Sequence, residues 1–302
     1  MKRIIPALGH IRLSKLQPHH ILEYLQQLEE PGQNKKTGAP LSAKTISNHL
    51  RIISSIFATA AEWQIIPLNP ARSVRAPKRQ KHEIKFLDDV QTVQLLQALE
   101  GAPLKYRAAI ELLLFSGARR GEVLALRWHD ISYKDCTVNI SKALLYLPER
   151  GVYEDSPKTE SSNRVVKIPQ DVIAHLRQYR AEQSEEQLQF GDLWQGVGYV
   201  FTQSGGHPLR PDTLSGWFRK FIRRYNAAVT NEGDKLPEIS IHGLRHTNAS
   251  LLIASGANIR TVAARLGHAQ TSTTTNIYAH AIKSADAIAS DALEAVLLKK
   301  NG

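Results

Sequence analysis

Only one cysteine, Cys136, occurs in 302 residues. A single thiol excludes an internal disulfide and any zinc cluster built on cysteines. Long apolar runs are missing too: nothing approaches the roughly 20 residues that span a bilayer, so no membrane partner is expected. The opening MKRIIPALGHI lacks a sustained apolar region and a small-residue cleavage site, and does not read as a secretory signal. No internal repeat or low-complexity tract is evident. These absences point to the cytoplasm. Acidic residues are in deficit, 28 against 39 Lys plus Arg, which leaves a net charge of +11. That surplus favours a polyanionic partner, because each neutralised phosphate releases counterions. A merely basic soluble protein is the other reading.

What is present is an ordinary globular composition, 42% hydrophobic and 22% charged, in a chain long enough for two domains. Residues 1–17 read as short and irregular. Pro18 stands early in a helix with apolar Ile21, Leu22, Leu25 and Leu28, stopped by Pro31-Gly32 ahead of the polar loop QNKKTGAP. Ser42 is an N-cap for a longer helix to about Glu62. Its stripe of Ile46, Leu50, Ile53, Phe57 and Ala60 keeps the helical period. Lys44, Asn48, Arg51 and Ser55 fall mostly off that stripe, on a face either solvated or laid against a phosphate backbone. Pro67 and Asn69-Pro70 break the chain. APKRQKHEIKF (Ala76 to Phe86), with Lys78, Arg79 and Lys81, reads as a basic interdomain linker able to run along a duplex, or as an exposed loop.

Further on, Asp88 caps a helix carrying Val90, Val93, Leu95, Leu96 and Leu99. Another helix runs from Leu104 to Phe115, and SGARRGEVLALRW turns at a glycine into a third. DISYKDCTVNISKA alternates in part, which predicts a hairpin around Lys134-Asp135, and PKTESSNRVVKIP a further turn and strand. Helices are expected from Gln170 to about Gln189 and from Thr213 to Tyr225, with a short strand at Tyr199 to Thr202 between them. The run from Ile282 to Leu298 is Ala-rich, with an amphipathic stripe of Ile282, Ile288, Ala292 and Val296. The expected fold class is mainly α with one small antiparallel β-sheet.

Five places carry candidate chemistry. Arg119 follows a glycine turn at a helix start, and its planar fork suits phosphate. Glu122 shares its face, so the two form either an oriented phosphate grip or a surface ion pair of little worth. Lys158, in a turn between strands, is either a mobile cation or simply solvated. His242 and Arg245, three apart, project from one helical face. His242 and His246 imitate a zinc pair, but Gly243 stands where a metal hydrolase carries Glu, and Arg245 repels a cation; a capping or core role is the other reading for His246. Beyond the turn Ser255-Gly256-Ala257, Leu266-Gly267-His268 adds a further histidine, and Tyr278 lies ten positions after it. That tyrosine is either a packing residue or a nucleophile. With an intrinsic pKa of about 10, it needs cations and a proton acceptor nearby to attack.

In order, these boxes resemble the tyrosine recombinase family of phage-type integrases, Xer-type resolvases and integrases of conjugative transposons. G-x-R-x-x-E matches Gly117, Arg119 and Glu122; the hairpin lysine matches Lys158; H-x-x-R matches His242 and Arg245; L-G-H matches Leu266 to His268; the nucleophile matches Tyr278. The segments LGHIRLSKLQPHHI and AEWQIIPLNPA resemble the family's helical core-binding domain. The resemblance implies a core-DNA-binding domain at 1–76, a linker at 77–86 and a catalytic domain at 87–302 ending in a protomer-contact helix. Because the chain starts close to LGHI, the first helix of the core-binding domain and a preceding arm-site-binding domain are expected to be missing.

It further implies cleavage and rejoining of double-stranded DNA at attachment or core-type sites. Tyr278 would attack to form a 3′-phosphotyrosyl link, Arg119 and Arg245 would hold the nonbridging oxygens, and His242 would accept the tyrosine proton. His268 would donate to the phosphate, Lys158 would protonate the leaving oxygen, and Glu122 would support from behind. Neither cofactor nor metal is implied. A homotetramer on DNA and accessory DNA-bending proteins are the implied partners. Asn248 receives no catalytic role. A type IB topoisomerase and a noncatalytic DNA-binding regulator are the rival readings.

Overall fold

The computed structural model describes residues 3–78, 85–155, 163–268 and 275. The chain divides into two compact units, Met1–Glu83 and Ile84–Gly302. The predicted C-terminal helix, most of the basic linker and the turn with Lys158 lie outside the described residues. No helix among the described residues is long and apolar enough to cross a membrane.

The first unit is helical. Residues 1–17, read above as irregular, contain a short helix α1 (Ile4–Leu8) and a 3-10 turn (Leu13–Lys15). Ile4, Leu8 and Leu16 hold them down by entering the core. Helix α2 (Pro18–Gln27) starts with proline at its first position, where the missing N–H costs nothing. It buries Ile21, Tyr24, Leu25 and Leu28, whereas Leu22 is exposed. Leu22 lies about 100° round the helix from Ile21, so it falls outside the stripe that Tyr24 completes. Helix α3 (Ala43–Glu62) begins where the sequence places it, with the Ser42 Oγ accepting from the Thr45 N–H at 3.3 Å. Ile46, Ile53, Phe57 and Ala60 are buried, and Lys44, Asn48, Arg51 and Ser55 are all exposed.

In the second unit the chain enters through Leu87, whose N–H donates to the buried Thr247 Oγ1 at 2.9 Å. Helix α4 (Asp89–Ala98) is capped by Asp88, whose Oδ1 accepts from the Gln91 N–H at 2.8 Å. It buries Thr92 and Leu95, followed by Leu99, but Val90 and Val93 point outward. Both sit about 100–160° round the helix from Thr92, off the face that Leu95 and Leu99 define. Helix α5 (Leu104–Ser116) is buried from Ala108 to Leu114 and packs on α7 (Gln170–Phe190) and α9 (Ile241–Ala254). Apart from Glu111, which is paired with Arg107 and His175, that stretch is apolar on all sides, as suits a helix inside a core.

One sheet was expected, and two occur among the described residues. Strands β1 (Ile131–Ser132), β2 (Thr137–Ile140) and β5 (Arg164–Lys167) form one, in the order β1-β2-β5. Strands β3 (Ala143–Leu147) and β4 (Gly151–Asp155) form a separate antiparallel hairpin. The Glu154 carboxylate ties that hairpin to the unit by accepting from Arg127 Nη2 at 2.7 Å, Tyr199 Oη at 2.5 Å and Lys142 Nζ at 2.9 Å. Although its partial burial raises the carboxyl pKa, these donors win and hold it down at about 2. Tyr199 to Thr202, expected as a strand, instead takes part in two isolated bridges, Arg127 with Tyr199 and Thr202 with Pro208. Helix α8 (Pro211–Ala228) follows, then α9 and α10 (Ile259–Leu266).

Candidate active site

The end of α5 organises the site. Gly117 caps it at φ +63, a left-handed conformation that suits glycine, and the chain reverses through Ala118 into α6 (Arg120–Leu124). A Cβ on Gly117 would come within 2.7 Å of both Asn248 Oδ1 and Leu266 Cδ2. The boxes of α9 and α10 therefore close directly over this turn. Three donors from those two helices take the carbonyls left open at the end of α5. Asn248 Nδ2 reaches Leu114 at 2.8 Å and Phe115 at 3.2 Å, Arg265 Nη2 reaches Phe115 at 2.7 Å, and Arg245 Nη1 reaches Gly117 at 2.7 Å. Asn248, given no role from sequence, is thus a cap from outside the helix.

Glu122 is buried and not part of a surface pair. Its Oε1 accepts from Arg119 Nη1 at 2.7 Å; its Oε2 accepts from the Arg119 N–H at 2.9 Å and from Arg164 Nη2 at 2.7 Å. Burial alone would raise its pKa, but the Arg164 and Arg119 donors reverse that and keep it below the usual carboxylate value. The Arg119 side chain stays 45% exposed, so its fork is oriented from behind and open in front.

Helix α9 starts at Ser240, whose Oγ accepts from the Gly243 N–H at 3.3 Å. His242 stands in the first turn, exposed, while Arg245 and His246 are buried. Desolvation, then Arg245 and Arg119, push the His242 pKa down. Helix α10 ends in Gly267 at φ +69, which turns the chain toward His268. Burial pushes the His268 pKa down to about 4, and Arg245, Arg119, Arg164 and His246 add to it. Burial likewise takes His246 to about 4, with His242 and Arg245 contributing. Arg119 and Arg245 thus act on both His242 and His268, and Arg164 on His268 as well. The His242 and His246 rings stand nearly perpendicular, 4.9 Å between centroids. Among the described residues no group of three or more His, Cys, Asp or Glu is arranged to hold a metal ion.

A cleft of about 820 Å³ opens beside Arg119 and His242. Arg120, Arg219 and Arg223 line it with Asp212 and Glu238, and Arg120 is held by Ser215 Oγ at 2.6 Å. Arg219 and Arg223 on α8 were not singled out from sequence, nor was Arg120 on α6. The signal was there in WFRKFIRRY, where Phe218 and Ile222 are buried and basic residues take other faces. Arg164 was also missed, since nothing local marks a strand arginine as buried. Lys44, Arg51 and Lys78 are exposed in the first unit; Arg79, Lys81, Lys158 and Tyr278 lie outside the described residues.

Clustered guanidinium groups and neutral imidazoles over a glycine turn suit a phosphodiester approached by a nucleophile. Comparison with known proteins gives that arrangement its class. The phage integrase family matches residues 85–284. The tyrosine recombinase XerC-like protein of Caldanaerobacter subterraneus subsp. tengcongensis is 29% identical over 90% of this chain and 69% of its own length. The ICEBs1 integrase of Bacillus subtilis is 27% identical over 89% of this chain and 68% of its own. This chain thus spans about two thirds of the length of those relatives. In structure it is similar to a Tn1549 transposon integrase fragment in complex with transposon right end DNA, with TM-score 0.76 and 24% identity over 94% of this chain and 88% of that one. The chain belongs to the phage integrase family, and is a tyrosine-type site-specific recombinase rather than a relaxing topoisomerase or a noncatalytic regulator.

Proposed function

We propose that this chain cleaves and rejoins double-stranded DNA at specific sites through a 3′-phosphotyrosyl intermediate on Tyr278. The observation that carries the reading is the packing that brings three separate segments together: Arg119 oriented by Glu122, Arg245 bonded to the Gly117 carbonyl, and the end of α10 closed over the Gly117 turn. Arg119 and Arg245 hold the nonbridging oxygens and stabilise charge developing in the transition state; one such donor is typically worth a factor of about 100 or more. His242, kept neutral by its surroundings, accepts the tyrosine proton. His268 donates to the phosphate, and Lys158 protonates the leaving 5′-oxygen. Glu122 orients Arg119. The energy of the broken phosphodiester is kept in the tyrosyl link, so the cycle runs without a nucleotide cofactor, and cationic side chains serve where a metal otherwise would.

In this reading residues 1–76 bind core DNA, 77–86 link, and 87–302 catalyse. The exposed Lys44 and Arg51 on α3 and the basic Lys78, Arg79 and Lys81 lie against phosphates. Strand exchange proceeds in a homotetramer, with the run from Ile282 to Leu298 joining protomers and DNA-bending proteins assisting.

The test is a suicide duplex nicked near the cleavage point, drawn from DNA flanking the gene. Wild-type protein is expected to form a covalent adduct without added Mg²⁺, mapped to Tyr278 by peptide mass spectrometry, and Tyr278→Phe none. An adduct that survives Tyr278→Phe overturns the assignment.

A further inference from the structure

Arg164 joins the two halves of the site from a third element, the β-sheet. It lies on β5, opposite Ile140 of β2, and its side chain is only 7% exposed. Nη2 donates to Glu122 Oε2 at 2.7 Å, and Nε donates to the Arg265 carbonyl at 2.7 Å. A Cβ on Gly267 would stand 2.8 Å from Nη1 and 3.1 Å from Cζ, so the turn carrying His268 is folded directly against the guanidinium. One rigid fork therefore bridges α6, the end of α10 and the strand that follows the Lys158 turn.

A buried Arg–carboxylate pair is poor value as a stabiliser, because desolvation offsets most of its attraction and an apolar pair of similar volume is often as stable. What it adds is geometry. Glu122 aims Arg119 only while its own carboxylate plane is held, and Arg164 holds the oxygen that Arg119's side chain does not use. A displacement of about 1 Å at a reacting centre costs on the order of 100-fold in rate.

We propose that Arg164 is a positioning residue for DNA cleavage, locking Glu122, and through it Arg119, in register with the Gly267-His268 turn. The proposal rests on the recombinase reading above. It makes Arg164 act through its neighbours, with no contact to DNA required.

The probe is a nicked duplex that the wild-type chain selects by covalent capture from a sequence-randomised pool. Single-turnover adduct formation is measured on the full chain at saturating protein, with the dissociation constant of the same duplex measured separately. Arg164→Met is expected to lower the maximal rate about 10–100-fold, the range seen for outer-shell groups, and to leave the dissociation constant within about twofold. Because this variant leaves the buried Glu122 carboxylate to Arg119, Glu122→Gln, alone and combined with Arg164→Met, keeps the test valid. Both should melt with the wild type, and the combined variant should cleave no more slowly than the slower single one, as expected if Arg164 acts through Glu122. Arg164→Lys keeps the charge without the fork and should restore only part of the rate. A folded variant that cleaves at the wild-type maximal rate overturns the proposal. So does a loss that tracks the folded fraction, or one that appears only in binding. If the wild-type chain captures no duplex, the recombinase reading falls and takes this one with it; a wild-type adduct with undiminished Arg164→Met activity removes the positioning role alone.

Discussion

Gly117 is the residue at which backbone geometry and chemistry are hardest to separate. Its left-handed φ costs an L-residue about 1–2 kcal/mol. Its hydrogen faces Asn248 Oδ1 and Leu266 Cδ2, where a methyl group would stand 2.7 Å from each. Pushing Asn248 aside would also strip its amide from the Leu114 and Phe115 carbonyls, and an unsatisfied buried group costs about 1–3 kcal/mol. Gly117→Ala is therefore expected to destabilise the chain by roughly 2–5 kcal/mol in urea titration. Gly216 in α8 is the control. Nothing lies within 4 Å of its added Cβ, and Gly216→Ala should stabilise by about 0.5–1 kcal/mol. Equal melting of the two variants would rule out the close approach of α9 and α10 to the turn.

At the scale of elements, α9 and α10 carry a pH dependence. His246 and His268 both have pKa values of about 4 in the folded chain, mainly from burial, against an ordinary 6.5. The unfolded chain thus binds protons between those values that the folded chain refuses. The stability gained by keeping both rings neutral is complete above about pH 6.5, is lost progressively as pH falls, and is gone below about 4. Urea midpoints recorded at pH 7, 5.5 and 4 should fall in that order, and His246→Asn should flatten the decline. A midpoint unchanged from pH 7 to 4 would show that these rings do not titrate abnormally. The sign agrees with the role proposed for His242, whose pKa is also pushed below its ordinary value, first by burial.

For the molecule as a whole, the surplus of +11 sets how it meets a polyanion. Each lysine or arginine that replaces a condensed counterion contributes about −0.9 to the slope of log K against log salt. Lys44 and Arg51 stand exposed on the same helix, clear of its buried stripe. Replacing both by alanine is expected to make the slope shallower by about 2 units in fluorescence titrations on duplex DNA, with weakening that is uniform across sequences. An unaltered slope would move the phosphate track off α3.

Much of the local structure was legible in the residues themselves. Ser42 and Asp88 begin α3 and α4 because each offers its own side-chain oxygen to an N–H three residues on. Gly117 and Gly256 mark turns, and in the fold both take positive φ values. The stripe from Ile46 to Ala60 needs only the helical period. The order of the boxes also lay open, and with it the class of enzyme. Tertiary structure alone decided the rest: that Tyr24 and not Leu22 faces the core, that Val90 and Val93 face out, and that β3 and β4 pair apart from the other sheet. It also made Asn248 a cap and Arg164 the partner of both Glu122, 42 residues away, and the Arg265 carbonyl, 101 residues away. Caps, turns and periodicity are interactions between near neighbours, so the order of residues contains them. Which carboxylate a buried guanidinium meets depends on how distant segments pack, and only the folded chain brings those segments within reach.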